Sequence, residues 1–294
     1  MSRGTAIFLD TSIQIARFVH DKQIKERISQ RIAPYDLRVT SLVVRQEFRR
    51  RLLEEAAWCL NQLNHPTKPK TFEELFRYVL DHMPRLQVRQ KRIREQILLT
   101  IQERTRNDRT ERAKRYLRTI LRMGLTVFED EIDHVIREVD CACASYPVVE
   151  KKAYKRYEFG PNKCSECDRE CGVQSFLAAR EDKLVDVLEQ LKELPNGKKV
   201  KADGTKTELG KIEDFITAFL ASPDAARKMD PCLTVGDLLI ALESEKIPDF
   251  YTINAKESQY LCRWMKQTLI VRKTFPAHED IICDGADSDW PAFD

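Results

Sequence analysis

The chain has 294 residues, 42% hydrophobic and 33% charged. No apolar run approaches the roughly 18 residues that a membrane-spanning helix needs, which excludes a helical membrane protein. A formal net charge of +3 is too small to demand a polyanionic partner, and nine cysteines, an odd number, argue against a disulfide framework and for thiols or metal ligands. The opening MSRGTAIFLDTS runs straight into a strand pattern with no room for a signal peptide, so a cytoplasmic location is expected.

In chain order, TAIFLD (5–10) is a short apolar run that stops on Asp10 and predicts a strand. TSIQIARFVHDKQIKERISQRI then has helical spacing, with Thr11 or Ser12 as N-cap. DLRVTS (36–41) predicts a second strand, and LVVRQEFRRRLLEEAAWCLNQL a helix carrying Glu47 in its early turns. Strand, helix, strand, helix implies an α/β sheet with parallel strands. After the loop NHPTKPKT (64–71), long charged helical segments are expected up to about residue 140. CACASYP and GPNKCSECDRECG are turn-rich and irregular in pattern, and a helix is expected over about 173–194. PNGKKVKADGTKTELGK (195–211) predicts a polar loop with a mobile tip. The alternation resumes from about 212 through DLLIALESEKI, DFYTIN and AKESQYLCRWMKQ to TLIVRK. The expected organisation is an α/β core, 1–65 and 211–294, interrupted by a large, mainly helical insert, 66–210, with a cysteine cluster at 141–171.

Two features of the insert suggest ligands. Cys141-x-Cys143 and Cys164-x₂-Cys167-x₃-Cys171 offer five thiolates on turn-rich flanks, which suits one structural Zn²⁺; an iron–sulfur cluster or unliganded thiols are the alternatives. Between Arg85 and Arg122 stand thirteen Lys/Arg against four acids. Arg112, Lys114, Arg115 and Arg118 are the residues singled out for contact with nucleic-acid phosphates, against the alternative of a solvated helical face. No aromatic residue lies between 85 and 115, which disfavours base stacking.

The core carries the acids. Thr234-Val-Gly-Asp237 fits a capping box at a helix start, and an acid there also suits the helix dipole. In an open parallel sheet, however, sites form beyond the carboxyl ends of the strands. Asp10, Asp237 and Asn254 can all face one such crevice, with Glu47 leaning in from the side. Clustered carboxylates repel unless something positive neutralises them, and hard oxygen donors of this kind suit Mg²⁺ or Mn²⁺.

FLDTS (8–12), TSLVVRQEF (40–48), GDLLIALE (236–243) and FYTINAKES (250–258) resemble the four ordered motifs of PIN-domain nucleases. The resemblance covers about 1–62 and 212–275. It implies a PIN-like parallel-sheet core flanked by helices and a metal-dependent endoribonuclease that hydrolyses RNA phosphodiester bonds. Asp10, Glu47 and Asp237 would then be catalytic metal-binding acids, with Asn254 in the fourth position. Asn in place of Asp resembles PIN-type toxins and lowers the charge, which Glu257 or Asp230 would restore. Thr11, Ser12 and Thr252 are candidates to orient water or phosphate, with plain cap or turn roles as the alternative. The alternatives are a DNA nuclease and a PIN-like scaffold that binds nucleic acid or a protein without cutting; an inhibitory or assembly partner stays open.

Overall fold

The computed structural model describes residues 6–20, 22–65, 69–82, 88–104, 109–139, 148–151, 156–159, 172–223, 229–272 and 280–284. The first half contributes β1 (Ala6–Leu9), α1 (Thr11–Val19), α2 (Lys22–Ile32), β2 (Leu37–Ser41) and α3 (Leu42–Phe48). A π-helical turn, Arg49–Leu53, then leads into α4 (Glu54–Leu63). The middle comprises α5 (Phe72–His82), α6 (Val88–Arg104), α7 (Arg109–Glu129), β3 (His134–Ile136), β4 (Val148–Lys151), β5 (Arg156–Phe159), α8 (Gly172–Ala178), α9 (Glu181–Glu193) and α10 (Asn196–Lys199). The last part holds α11 (Glu208–Ala221), α12 (Pro231–Thr234), α13 (Gly236–Ser244), β6 (Asp249–Thr252), α14 (Ala255–Trp264), β7 (Thr268–Arg272) and β8 (Asp280–Cys283).

Six strands form one sheet in the order β3-β2-β1-β6-β7-β8, parallel throughout except for β8, which runs antiparallel to β7. β4 and β5 form a separate antiparallel pair. β1 is buried along its whole length, as a central parallel strand covered on both faces must be. Its side chains alternate between two cores. Ile7 and Leu9 pack with Ile13, Ile24, Ile28 and Ile32 of α1 and α2, whereas Phe8 joins the larger core on the opposite face and stacks on Phe250 at 5.3 Å between ring centres. Phe8 pairs with Val39 of β2 on one side and with Phe250 of β6 on the other. β1 is thus the strand from which the chain is wound in both directions, and its carboxyl end is the place where sheets of this kind form their sites.

The structure departs from the sequence-based elements at several places. The first helical run breaks at His20 into α1 and α2, and Asp10 caps α1, accepting a bond from Ser12 N at 3.4 Å, where Thr11 or Ser12 was expected to cap. A strand, β3, stands inside the stretch expected to be helical to about 140, and it extends the main sheet by pairing with β2. The helix expected over 173–194 is two, α8 and α9. The stretch 195–211, expected to be a polar loop, holds α10, a braced hairpin and the start of α11. Val200 bridges Lys206, Lys201 N donates to Thr205 O at 2.8 Å, and Thr207 caps α11 through Gly210 N. The turn is made by Gly204, at φ 80°, where a side chain would be strained.

The basic segment is also partly spent on the fold. Arg94 is buried, pairs with buried Glu55 and lies 3.6 Å over the ring of Trp58. Lys91 pairs with Glu95, Arg109 with Glu73 and Lys114 with Glu111. Among the described residues, no helix is long and apolar enough to cross a membrane.

Candidate active site

Asp10 leaves the end of β1 and lies beside the end of β6. Its N–H donates to Tyr251 O at 3.1 Å, and its Oδ2 accepts from Ser12 Oγ at 2.8 Å and from Thr252 Oγ1 at 2.8 Å. Ser12 Oγ in turn accepts from Ile253 N at 2.9 Å, so the loops after β1 and β6 are stitched together around one carboxylate. Glu47 reaches the same place from α3. Thr11 Oγ1 donates to its Oε2 at 2.9 Å, and Arg51 donates to its Oε1 at 3.2 Å.

Asp237 approaches from the first turn of α13 and is part-buried. The expected capping box does not form. Val235 occupies the cap position without a side-chain bond, and Thr234 Oγ1 donates to Met229 O instead. Asp237 is therefore a first-turn acid whose carboxylate is not used up on its own helix cap. Gly236 lets this turn come close: a Cβ there would lie 2.6 Å from Glu47 Oε1.

The electrostatics show that these acids sense one another. Burial, and after it the Glu47 carboxylate, push the Asp237 carboxyl up to about 7; Arg51 opposes this, and Asp10 and Glu257 add to it. Asp10 is raised by burial and by Glu47, against its hydrogen bonds from Thr252 and Ser12. Burial alone would lower the Arg51 guanidinium, but Glu47, Asp237, Asp10 and Glu208 outweigh it and hold the group above its ordinary value. The π-helical turn matters here, because Arg51 stands four residues after Glu47 across the junction of the two helical forms, and such turns recur at functional sites. Arg51 is the site residue that sequence reasoning missed. Its one visible signal was an arginine four residues from an acid in a helix.

Asn254 is exposed just after β6, and its amide donates to Glu257 Oε2 at 3.3 Å. Glu257 is buried and contributes charge to the cluster. Asp230, at φ 48° ahead of Pro231, occupies the N-cap position of α12 without a side-chain cap bond. Cys141, Cys143, Cys164, Cys167 and Cys171 lie outside the described residues. Lys114, Arg115 and Arg118 act on Glu111, their neighbour on α7, and Lys114 pairs with it at 3.0 Å.

Carboxylate oxygens are the donor type that hard divalent cations take, and Asp10, Glu47 and Asp237 are the residues here that could supply them. Among the described residues no three His, Cys, Asp or Glu side chains are clustered as a ready metal-binding group. Glu47 is meanwhile engaged by Thr11 and Arg51. Comparison with protein-family models, with curated proteins and with solved structures gives no match for this chain.

A pH dependence follows from Asp237. Folded, it keeps its proton to about 7, whereas its ordinary value is 3.8. The folded state therefore binds the extra proton between these limits, and the stability this contributes is lost as pH rises through 7. For protein stripped with EDTA, denaturation at pH 5 and pH 8 is expected to show wild type losing ~1–2 kcal/mol more than Asp237→Asn, part-exposure having been discounted. Glu243, also near 7, titrates in both and cancels. Equal losses would show that Asp237 ionises normally.

Proposed function

We propose that the chain is a metal-dependent endoribonuclease that hydrolyses RNA phosphodiester bonds at Asp10, Glu47 and Asp237. One observation carries the reading: these acids come from three separate elements, converge at the switch point of a parallel sheet, and drive the carboxyls of Asp10 and Asp237 upward by burial and mutual repulsion. The resemblance of the four motifs to those of PIN-domain nucleases, noted above for the same acids, is consistent with it. Bound Mg²⁺ or Mn²⁺ would neutralise the cluster and stabilise the charge that develops on a phosphodiester under attack.

The chain's own residues have distinct parts in this reading. Asp10, Glu47 and Asp237 supply oxygens, with Glu257 adding charge at the edge in place of the amide of Asn254. Thr252 and Ser12 hold the Asp10 carboxylate in one orientation by paired hydrogen bonds. Thr11 does the same for Glu47. Arg51 offsets the excess negative charge and, being only part-buried, stands where a substrate phosphate would be received.

Incubation of the purified protein with mixed RNA and DNA, with Mn²⁺ or with EDTA, tests the proposal. Cleavage of RNA that EDTA abolishes supports it, and cleavage confined to DNA changes the substrate. The Arg51–Glu47 pair, which offsets part of the acid charge without a metal, favours one second reading, a scaffold that binds without cutting. It would show as binding with no cleavage. The zinc expectation for Cys164, Cys167 and Cys171 with Cys141 or Cys143 is tested by elemental analysis of protein purified without added metal. About one zinc per chain is expected, with iron or no metal as the overturning results.

A further inference from the structure

The stretch expected to be a polar loop lines one side of a cleft. The hairpin after α10 is held by Thr207, whose N–H donates to Lys199 O at 2.8 Å and whose Oγ1 donates to Lys198 O at 2.7 Å. Gly210 lets α11 close on it, since a Cβ there would lie 2.3 Å from Lys199 O. Opposite stands the first half of α14, and between them runs a cleft of about 450 Å³. Lys198, Lys201, Lys206 and Lys211 line it from the hairpin side and Lys256 from α14. All five are exposed. Lys206 is paired with Asp214 and Lys211 with Glu208, whereas Lys198, Lys201 and Lys256 enter no ion pair among the described residues.

Glu257 joins the cleft to the carboxylate cluster, since its charge acts on Asp237. It lines the cleft, accepts from the amide of Asn254, and is linked through Asn254 N and Thr252 Oγ1 to Asp10. We propose that this lysine-lined cleft binds the phosphodiester backbone of a single-stranded nucleic acid and leads the strand to the acids. The proposal rests on the nuclease reading for its destination, while the binding stands on the cleft itself. Lysines are point charges without a fixed fork geometry, which suits backbone contact independent of sequence. The volume falls within the range, about 300–1,000 Å³, of sites that enclose a small ligand, and a concave groove admits a single strand more readily than a duplex. A phosphate polymer also satisfies both ends of the path. It would meet the ammonium groups in the cleft, and Asp10, Glu47 and Asp237 would hold a cation that neutralises its charge.

The test compares wild type with Lys198→Glu/Lys201→Glu/Lys256→Glu for binding to short fluorescein-labelled oligouridylate and oligothymidylate, by anisotropy over a salt series with Ca²⁺. Melting curves check that the variant is folded, as exposed positions imply. The expected result is at least ~10-fold weaker binding and a slope of log affinity against log salt shallower by about 2, since each backbone contact on a single strand contributes ~0.7. Loss on both oligonucleotides supports binding of the shared backbone, and loss on the oligouridylate alone supports it with RNA as the source. Unchanged affinity and slope overturn the proposal even if wild type cleaves RNA. Lysine-dependent binding without cleavage in Mn²⁺ supports the cleft and overturns the nuclease reading. Wild type that binds neither strand overturns both.

Discussion

Asp10→Asn and Asp237→Asn are each expected to lower Mn²⁺-dependent RNA cleavage by ~10³-fold or more, because losing a carboxylate donor removes several kcal/mol of charge stabilisation and each 1.36 kcal/mol is tenfold in rate. Neither change should unfold the protein. Asn at position 10 keeps an oxygen that can cap α1 and accept from Ser12 and Thr252, contacts that an isosteric amide can largely retain. Asp237 makes no side-chain cap bond, and burial with Glu47 already disfavours its charged form. Asp237→Asn is therefore expected to melt at or slightly above the wild-type temperature in EDTA at pH 8. Cleavage assays in parallel with melting curves decide the matter. Full activity in Asp237→Asn, or a collapsed fold, would remove the residue from the proposed chemistry.

The largest effect on stability is expected at the Arg94–Glu55 pair. Both side chains are over nine-tenths buried, and the guanidinium also covers Trp58. Arg94→Met would leave the Glu55 carboxyl, which burial already raises against the pull of Arg94, with no compensating charge. Breaking a buried pair from one side costs ~3–5 kcal/mol, which corresponds to a melting temperature lower by on the order of 10 °C. Replacing both partners, Arg94→Met with Glu55→Leu, should recover most of the loss, since an apolar pair of similar volume needs no desolvation of charge. A loss under ~1 kcal/mol in the single variant would return Arg94 to the solvated face first considered for this segment. The consequence reaches the site, because Glu55 lies in the first turn of α4, directly after the π-helical turn that carries Arg51.

Much of the core was legible from short-range patterns. TAIFLD, DLRVTS, DFYTIN and TLIVRK read as strands and are β1, β2, β6 and β7, because a parallel strand buried on both faces is a local apolar run bounded by polar residues. The positions of Asp10, Glu47 and Asp237 followed from the same reading, since an acid at a strand end or early in a helix is visible in the chain. By itself the sequence thus determined the α/β class, the main strands and the acids worth watching.

Tertiary structure decided the rest, for reasons that do not lie in any local window. β3 is three residues long and becomes a strand by pairing with β2, about a hundred positions earlier in the chain. The arginine excess of 85–122 looked uniform, but Arg94 found Glu55 and Trp58 in the folded molecule and became part of the core. The capping box at Thr234 lost to a bond with Met229 O. The lysines of 195–211 became one wall of a cleft only once Thr207, Gly204 and Gly210 had braced the hairpin opposite α14. Strand pairing, ion pairing and clefts join residues far apart in sequence, so their energies depend on which surfaces folding brings together, and periodicity along the chain carries no record of that choice.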